Sequence, residues 1–183
     1  MKKEKIVNIP NFLSISRIVI ALIIILGIFY FQVKTIAILF IIGMLTDFFD
    51  GQIARRFNMK TEFGRKADMV ADRILMIGTA LAFILRVISD GNLDNNFVLQ
   101  MILILTRDII ALPFAIFWMF SGKTMPHANK FGKATTFFQG IAFPALILSL
   151  YYPVFSFSIY FAIATSLIGM FSAITFIREV IKK

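Results

Sequence analysis

The chain alternates long apolar runs with short polar stretches, and that alternation predicts its elements. A helix that crosses a bilayer needs roughly 20 mostly apolar residues. Six segments qualify: 12–32, 35–55, 66–88, 97–120, 131–152 and 155–177. The first is too long for a cleavable signal peptide, lacks a small-residue cleavage signature and leads into further spans. No linker, low-complexity stretch or internal repeat divides the chain. The expectation is an all-α, polytopic integral membrane protein with six transmembrane helices. It forms one domain, 1–183, of which 1–11 is an N-terminal segment outside the bilayer.

Composition agrees with this class and narrows the chemistry. Of the 183 residues, 59% are hydrophobic and 16% charged, too little polar surface for a soluble domain of this length. The absence of cysteine excludes disulfides and thiolate metal sites, and the single histidine, His127, excludes a His-rich one. The net charge of +9 raises the question of nucleic acid. The basic residues, however, interrupt apolar runs rather than line one face, which suits a membrane surface with anionic headgroups and no nucleic-acid partner.

The same residues give an orientation. One side of the predicted membrane holds Lys2, Lys3, Lys5, Arg55, Arg56, Lys60, Arg65, Lys66, Lys123, Lys130, Lys133, Arg178, Lys182 and Lys183; the other holds Lys34 and Arg86. The positive-inside rule puts both termini and the 55–66 loop in the cytoplasm, with the protein in the cell's inner, cytoplasmic membrane.

Ionisable residues inside spans are costly and mark function by default. Asp47 and Asp50 lie near the cytoplasmic end of the second predicted span, Asp68 and Asp72 near the start of the third. The first two are spaced i, i+3, and Gly64, Asp68 and Asp72 follow at i+4 intervals, so each set forms one helical stripe. Facing stripes would gather four carboxylates around one cavity, where they repel one another until cations compensate them. All-oxygen ligation favours Mg²⁺ or Mn²⁺, with Ca²⁺ also admitted, and two ions suit four carboxylates at a phosphoryl-transfer site. The plainer alternative is four helix-end residues solvated at the interface. Their spacing, and the small residues Gly51, Ala54 and Gly64 beside them, argue against it.

The run Asp47-Phe-Phe-Asp50-Gly51-Gln-Ile-Ala54-Arg55, followed by Gly64, Asp68 and Asp72, resembles the signature of the CDP-alcohol phosphatidyltransferase family at every fixed position. The six-span layout extends the resemblance over nearly the whole chain. It implies that Asp47, Asp50, Asp68 and Asp72 hold two divalent cations, and that Asp72 also takes the proton from the acceptor hydroxyl. It further implies a CDP-diacylglycerol-type donor, with Gly51, Arg55 and Thr61 at its CDP moiety, CMP as leaving group, and an active site on the cytoplasmic side. Members of the family are commonly homodimers, which the Phe-rich helix faces permit.

Two further segments extend the resemblance. Pro10-Asn11-Phe-Leu-Ser14-Ile-Ser-Arg17 is similar to the segment that opens the first span in glycerol-phosphate-using members, with Ser14 where threonine is common. Asn11 and Ser14 then contact the nucleotide. Equally, Pro10 and Asn11 only start a helix and Arg17 snorkels to the interface. Arg107 and Asp108 fall within the fourth predicted span, and Gly132-Lys133-Ala-Thr135-Thr136 precedes the fifth. Both resemble the phosphatidylglycerophosphate synthase branch, although Thr135 replaces its second lysine. The resemblance implies a small phosphorylated alcohol as acceptor, foremost glycerol 3-phosphate, with Arg107, Lys130 and Lys133 at its phosphate. A structural ion pair for Arg107 and Asp108, and simple topology signals for the lysines, are the alternatives. Inositol-phosphate and cardiolipin synthases share the aspartate motif. A cation transporter, the reading from a different class, predicts carboxylates near mid-membrane and a path open to both sides, often with repeated or broken helices; here the aspartates cluster at one face and no repeat is evident.

Overall fold

The computed structural model describes residues 8–57, 61–120 and 130–181, which are helical apart from short turns. The rest of the two basic loops and the terminal lysines lie outside the described residues. Helix packing gathers the chain into two units, 1–91 and 92–183.

In the first unit, α1 (Ile9–Leu26) starts at Asn8, whose side chain accepts from the Asn11 backbone N–H at 2.9 Å. Pro10 occupies the first turn, where its missing N–H has no helical partner to lose. The helix ends at Leu26 rather than running to residue 32 as the hydropathy predicts. Tyr30 and Phe31 donate their backbone N–H groups back to the Gly27 carbonyl at 2.9 and 2.8 Å. The Phe31 ring fills the space where a Cβ on residue 27 would stand, so any larger residue there would have to displace the ring. Arg86 closes the turn from outside, donating from Nη1 to the Ile28 and Phe31 carbonyls at 2.7 Å each. A residue that reads as a loop charge is thus a structural clamp.

The chain continues with α2 (Val33–Arg56), α3 (Glu62–Arg73), a π-helical turn (Ile74–Gly78) and α4 (Thr79–Ser89). The last three occupy the stretch predicted as the third span. They are not among the five helices that, among the described residues, are long and apolar enough to cross a membrane, which are α1, α2 and three in the second unit. The π turn divides this stretch into α-helices of 12 and 11 residues, each too short to cross alone, and α3 is amphipathic, carrying Glu62, Arg65, Lys66, Asp68, Asp72 and Arg73. The π turn then shifts register between this polar helix and the apolar α4. α1 packs against α2, α3, the π turn and α4. Its Ala21 and Ile24 are buried, as are Ile36, Phe40, Leu75 and Phe83 around it.

In the second unit, α5 (Asn95–Phe120), α6 (Lys130–Ser149) and α7 (Ser158–Ile181) form a bundle in which α7 contacts both others. A 3₁₀ turn at Pro153–Phe155 delays α7 to Ser158, three residues after the predicted start of its span. Pro113 and Pro144 lie inside α5 and α6, as membrane helices tolerate. Large apolar side chains face outward in both units, among them Phe12, Phe48, Phe117, Phe137, Val154 and Tyr160. Helices apolar on their outer faces have lipid for solvent, and the chain is an integral membrane protein.

Candidate active site

The site grows from three helix segments of the first unit: the start of α1, the end of α2 and all of α3. Asp47 and Asp50 stand one turn apart on α2 and Asp68 on α3. Carboxylate oxygens of all three lie within 4.8 Å of one another. Asp50 is buried, while the Asp47 and Asp68 side chains keep 30% and 45% of their surface, so the cluster opens on one side.

Between them lies Arg17. Its side chain is fully buried. Nη1 reaches Asp47 Oδ1 at 3.2 Å and Asp68 Oδ1 at 2.9 Å, and Nη2 donates to Asp50 Oδ2. Nε donates to Thr46 Oγ1 at 3.5 Å. The snorkelling expectation is overturned, because three carboxylates on neighbouring helices outbid the interface for this guanidinium. Sequence reasoning missed the role. The available signal was an arginine two turns inside an apolar helix, where an unpaired charge is costly.

Asp72, one turn after Asp68, stands outside the group of three. It accepts from Arg73 Nη1 at 3.1 Å, and Asp47 and Asp68 feel it as a neighbouring like charge. The stripe Gly64, Asp68, Asp72 is therefore present, with only its middle residue drawn into the Arg17 cluster.

The residues expected at the nucleotide border this cluster. Asn11 and Ser14 are buried on α1. Asn11 Nδ2 donates to Thr61 Oγ1 at 3.4 Å, and Ser14 Oγ donates to Asp50 Oδ2 at 3.4 Å. Thr61 is the N-cap of α3, its hydroxyl accepting from the Gly64 N–H at 2.9 Å. A Cβ on Gly64 would collide with the Asn11 side chain, which is why a small residue opens the α3 stripe. The helix-start work expected of Pro10 and Asn11 is done by Asn8 and Pro10, leaving the Asn11 side chain for Thr61. Gly51 is different: a Cβ there would meet nothing within 4 Å, so its backbone borders open space. The Arg55 backbone is helical, and its side chain lies outside the described ones.

In the second unit, Arg107 Nη1 donates to Thr136 Oγ1 at 3.1 Å, and a Cβ on Gly169 would lie 3.0 Å from Arg107 Cβ. Asp108 is buried and accepts from the Gln139 amide at 2.6 Å. Lys133 is exposed, and the side chain of Lys130 lies outside the described ones. Thr135, in place of the branch's lysine, is buried and donates back to the Phe131 carbonyl at 2.8 Å. A lysine could not occupy that position without burying its charge.

Comparison with known proteins agrees with this arrangement. A sequence profile described as CDP-alcohol phosphatidyltransferase matches residues 7–175. The CDP-diacylglycerol–glycerol-3-phosphate 3-phosphatidyltransferase of Rickettsia felis is 36% identical over 77% of this chain and 75% of its own length. That of Aquifex aeolicus is 30% identical over 79% and 78%. A probable phosphatidylglycerophosphate synthase of Mycobacterium tuberculosis is 28% identical over 98% and 85%. With the aspartate cluster in place and the family profile spanning both units, this chain belongs to the CDP-alcohol phosphatidyltransferase family.

Proposed function

We propose that the protein transfers the phosphatidyl group of CDP-diacylglycerol to glycerol 3-phosphate and releases CMP. The observation that carries the chemistry is the convergence of Asp47, Asp50 and Asp68 within 4.8 Å. The relatives' names support the two substrates. The whole chain acts as one catalytic membrane domain, a reading supported by the span of the family profile.

The donor set fits a divalent cation. It is all oxygen, it joins two helices, and its three carboxylates share one bonded guanidinium, so acidic groups outnumber the cation that bonds them. Asp47, Asp50, Asp68 and Asp72 would hold Mg²⁺ or Mn²⁺, two ions in all. Bound there, such ions would supply Lewis-acid polarisation of a diphosphate and neutralise charge on the CMP leaving group.

The chain's own residues do the rest. Gly51 lets the nucleotide approach the α2 backbone, and Asn11, Ser14, Thr61 and Arg55 hold and orient it. Asp72 takes the proton from the acceptor hydroxyl. The acceptor oxygen bonds to the phosphorus that carries diacylglycerol, and the bond from that phosphorus to the CMP oxygen breaks. Arg107, Lys130 and Lys133 hold the acceptor's phosphate. The distribution of Lys and Arg supports a site facing the cytoplasm, with both termini on that side.

The test offers purified protein CDP-diacylglycerol with glycerol 3-phosphate, inositol phosphate, free inositol, serine or phosphatidylglycerol, and measures CMP. Glycerol 3-phosphate drives release, and EDTA abolishes it until Mg²⁺ or Mn²⁺ is restored. Preference for another acceptor overturns the acceptor assignment alone. Absence of CMP with every acceptor overturns the transferase reading.

A further inference from the structure

Arg17 is the one residue at the centre of the aspartate cluster that the transfer chemistry leaves without a task. Its nitrogens lie 2.9–3.2 Å from Asp68 and Asp47 and donate also to Asp50. A Mg²⁺ ion requires the same oxygens at about 2.0–2.1 Å, and it cannot share the middle of the cluster with a guanidinium. The arginine is anchored as a bridge rather than a pendant. One nitrogen serves two carboxylates from different helices, the second serves Asp50, and Nε is tied to Thr46, whose hydroxyl in turn donates to the Gly43 carbonyl at 2.6 Å. Few other side chains present enough donors in one plane to span three carboxylates; an ammonium is a point charge.

We infer that Arg17 is the built-in counter-cation of the metal-binding aspartates: it holds Asp47, Asp50 and Asp68 together in the metal-free protein and competes with the divalent cation for them. The inference rests on the metal reading above. It follows from charge as well as geometry. Without Arg17, three carboxylates would stand together with, among the described residues, only Arg73 near Asp68 to offset them, and the α2–α3 pairing would strain against their repulsion. With it, the helices stay assembled before any ion arrives, and loading requires the guanidinium to withdraw. Arg17 is a positioning residue, and it sets the metal affinity below what the bare carboxylates would give.

The prediction has an unusual sign: removing a buried, fully bonded arginine should tighten metal binding. Purified wild type, Arg17→Gln and Arg17→Lys are titrated with Mn²⁺, free ion being read by electron paramagnetic resonance with no donor or acceptor present. Each is then melted in EDTA and in saturating Mn²⁺. Arg17→Gln should bind Mn²⁺ roughly tenfold tighter or more, since one positive charge a few ångströms away has gone. It should melt lower than wild type in EDTA, with the gap closing in Mn²⁺. Arg17→Lys should fall between the two, and carries the affinity measurement if the glutamine variant does not fold. A purely packing role would lower stability equally with and without Mn²⁺ and leave affinity unchanged; that result overturns the inference, as does weaker binding by both variants. Failure of wild type and variants alike to bind Mn²⁺ sinks the metal reading instead, which separates the two failures.

Discussion

The two units bury polar side chains in the same apolar surroundings but satisfy them differently. In the first, the buried network is ionic: one guanidinium meets three carboxylates. In the second it is mostly neutral. Gln139 bridges Asp108 and the Ile104 carbonyl, Ser158 donates to Gln100, and Ser166 reaches Thr106. Neutral groups can close their hydrogen bonds within the bundle and need nothing further. A cluster in which three carboxylates share one bonded guanidinium leaves acceptor oxygens to spare and suits a further cation. The first unit gathers its carboxylates around a guanidinium at the proposed reacting centre, the second holds its buried carboxylate Asp108 with an amide, and the contrast can be attacked from either end.

The largest effect lies in the ionic network. Asp68→Asn and Asp47→Asn keep the side-chain shape and remove a ligand charge. Each should lower CMP release by about a thousandfold or more, with helix content and melting temperature near wild type. Substantial activity in either variant would break the assignment of the cluster as the metal site.

Next comes Arg107, a half-buried charge in the second unit beside the buried Asp108. A contact to a buried phosphate is worth about 1.5–3 kcal/mol, or one to two orders of magnitude. Arg107→Ala should lower kcat/KM for glycerol 3-phosphate by that factor and leave the KM for CDP-lipid nearly unchanged, whereas Arg55→Ala should weaken the donor first. Saturation curves in each substrate decide it. An unchanged acceptor curve would return Arg107 to the scaffold with its Thr136 partner.

Two glycines of the signature then separate packing from ligand approach. A methyl on Gly64 would strike the Asn11 side chain and lie 2.9 Å from Thr61 Oγ1, so Gly64→Ala should destabilise by about 1–3 kcal/mol. Gly51→Ala meets no neighbour within 4 Å and gains helix propensity. It should melt no lower than wild type and yet raise the KM for CDP-lipid. If Gly51→Ala melts lower and binds its donor normally, that glycine serves folding and the open space beside it is not the nucleotide's.

What the sequence disclosed follows from what hydropathy and spacing measure. The apolar runs placed α2, α5 and α6 to within a few residues, because burial in lipid depends on composition alone. They overran α1, where Gly27 and Phe31 turn the chain by a contact no hydropathy sum contains. Nor did they reveal the π turn, since Ile74-Leu-Met-Ile-Gly78 is as apolar as any regular helix. The i+3 and i+4 spacing of the aspartates gave their shared faces, and the structure brings three of the four together. Arg17 stood out as a charge inside an apolar helix, but what it binds was illegible for the opposite reason. Its partners lie 30, 33 and 51 positions away, on helices whose rotation about their axes one sequence does not state.

The smallest expected effect is the one that tests the neutral side of the comparison. Ser158 Oγ donates to Gln100 Oε1 at 2.7 Å with both residues buried, joining the start of α7 to α5. Ser158→Ala removes the donor and leaves the Gln100 amide to its other neighbour, Asn96, whose side-chain oxygen accepts from Gln100 Nε2 at 3.4 Å. In water-soluble cores such an orphaned acceptor costs about 1–3 kcal/mol. Between membrane helices the measured average is lower, about 0.6 kcal/mol, because helices separated in lipid also find partners for their polar groups. Ser158→Ala, Gln100→Leu and the double variant, unfolded in mixed micelles, form a cycle whose coupling should be about that size. kcat/KM for both substrates should match wild type throughout, since the pair holds helices and touches no charge. A loss of activity far exceeding the loss of stability would place Ser158 and Gln100 in the chemistry, and the division between an ionic reacting centre and a neutral scaffold would fail at this point.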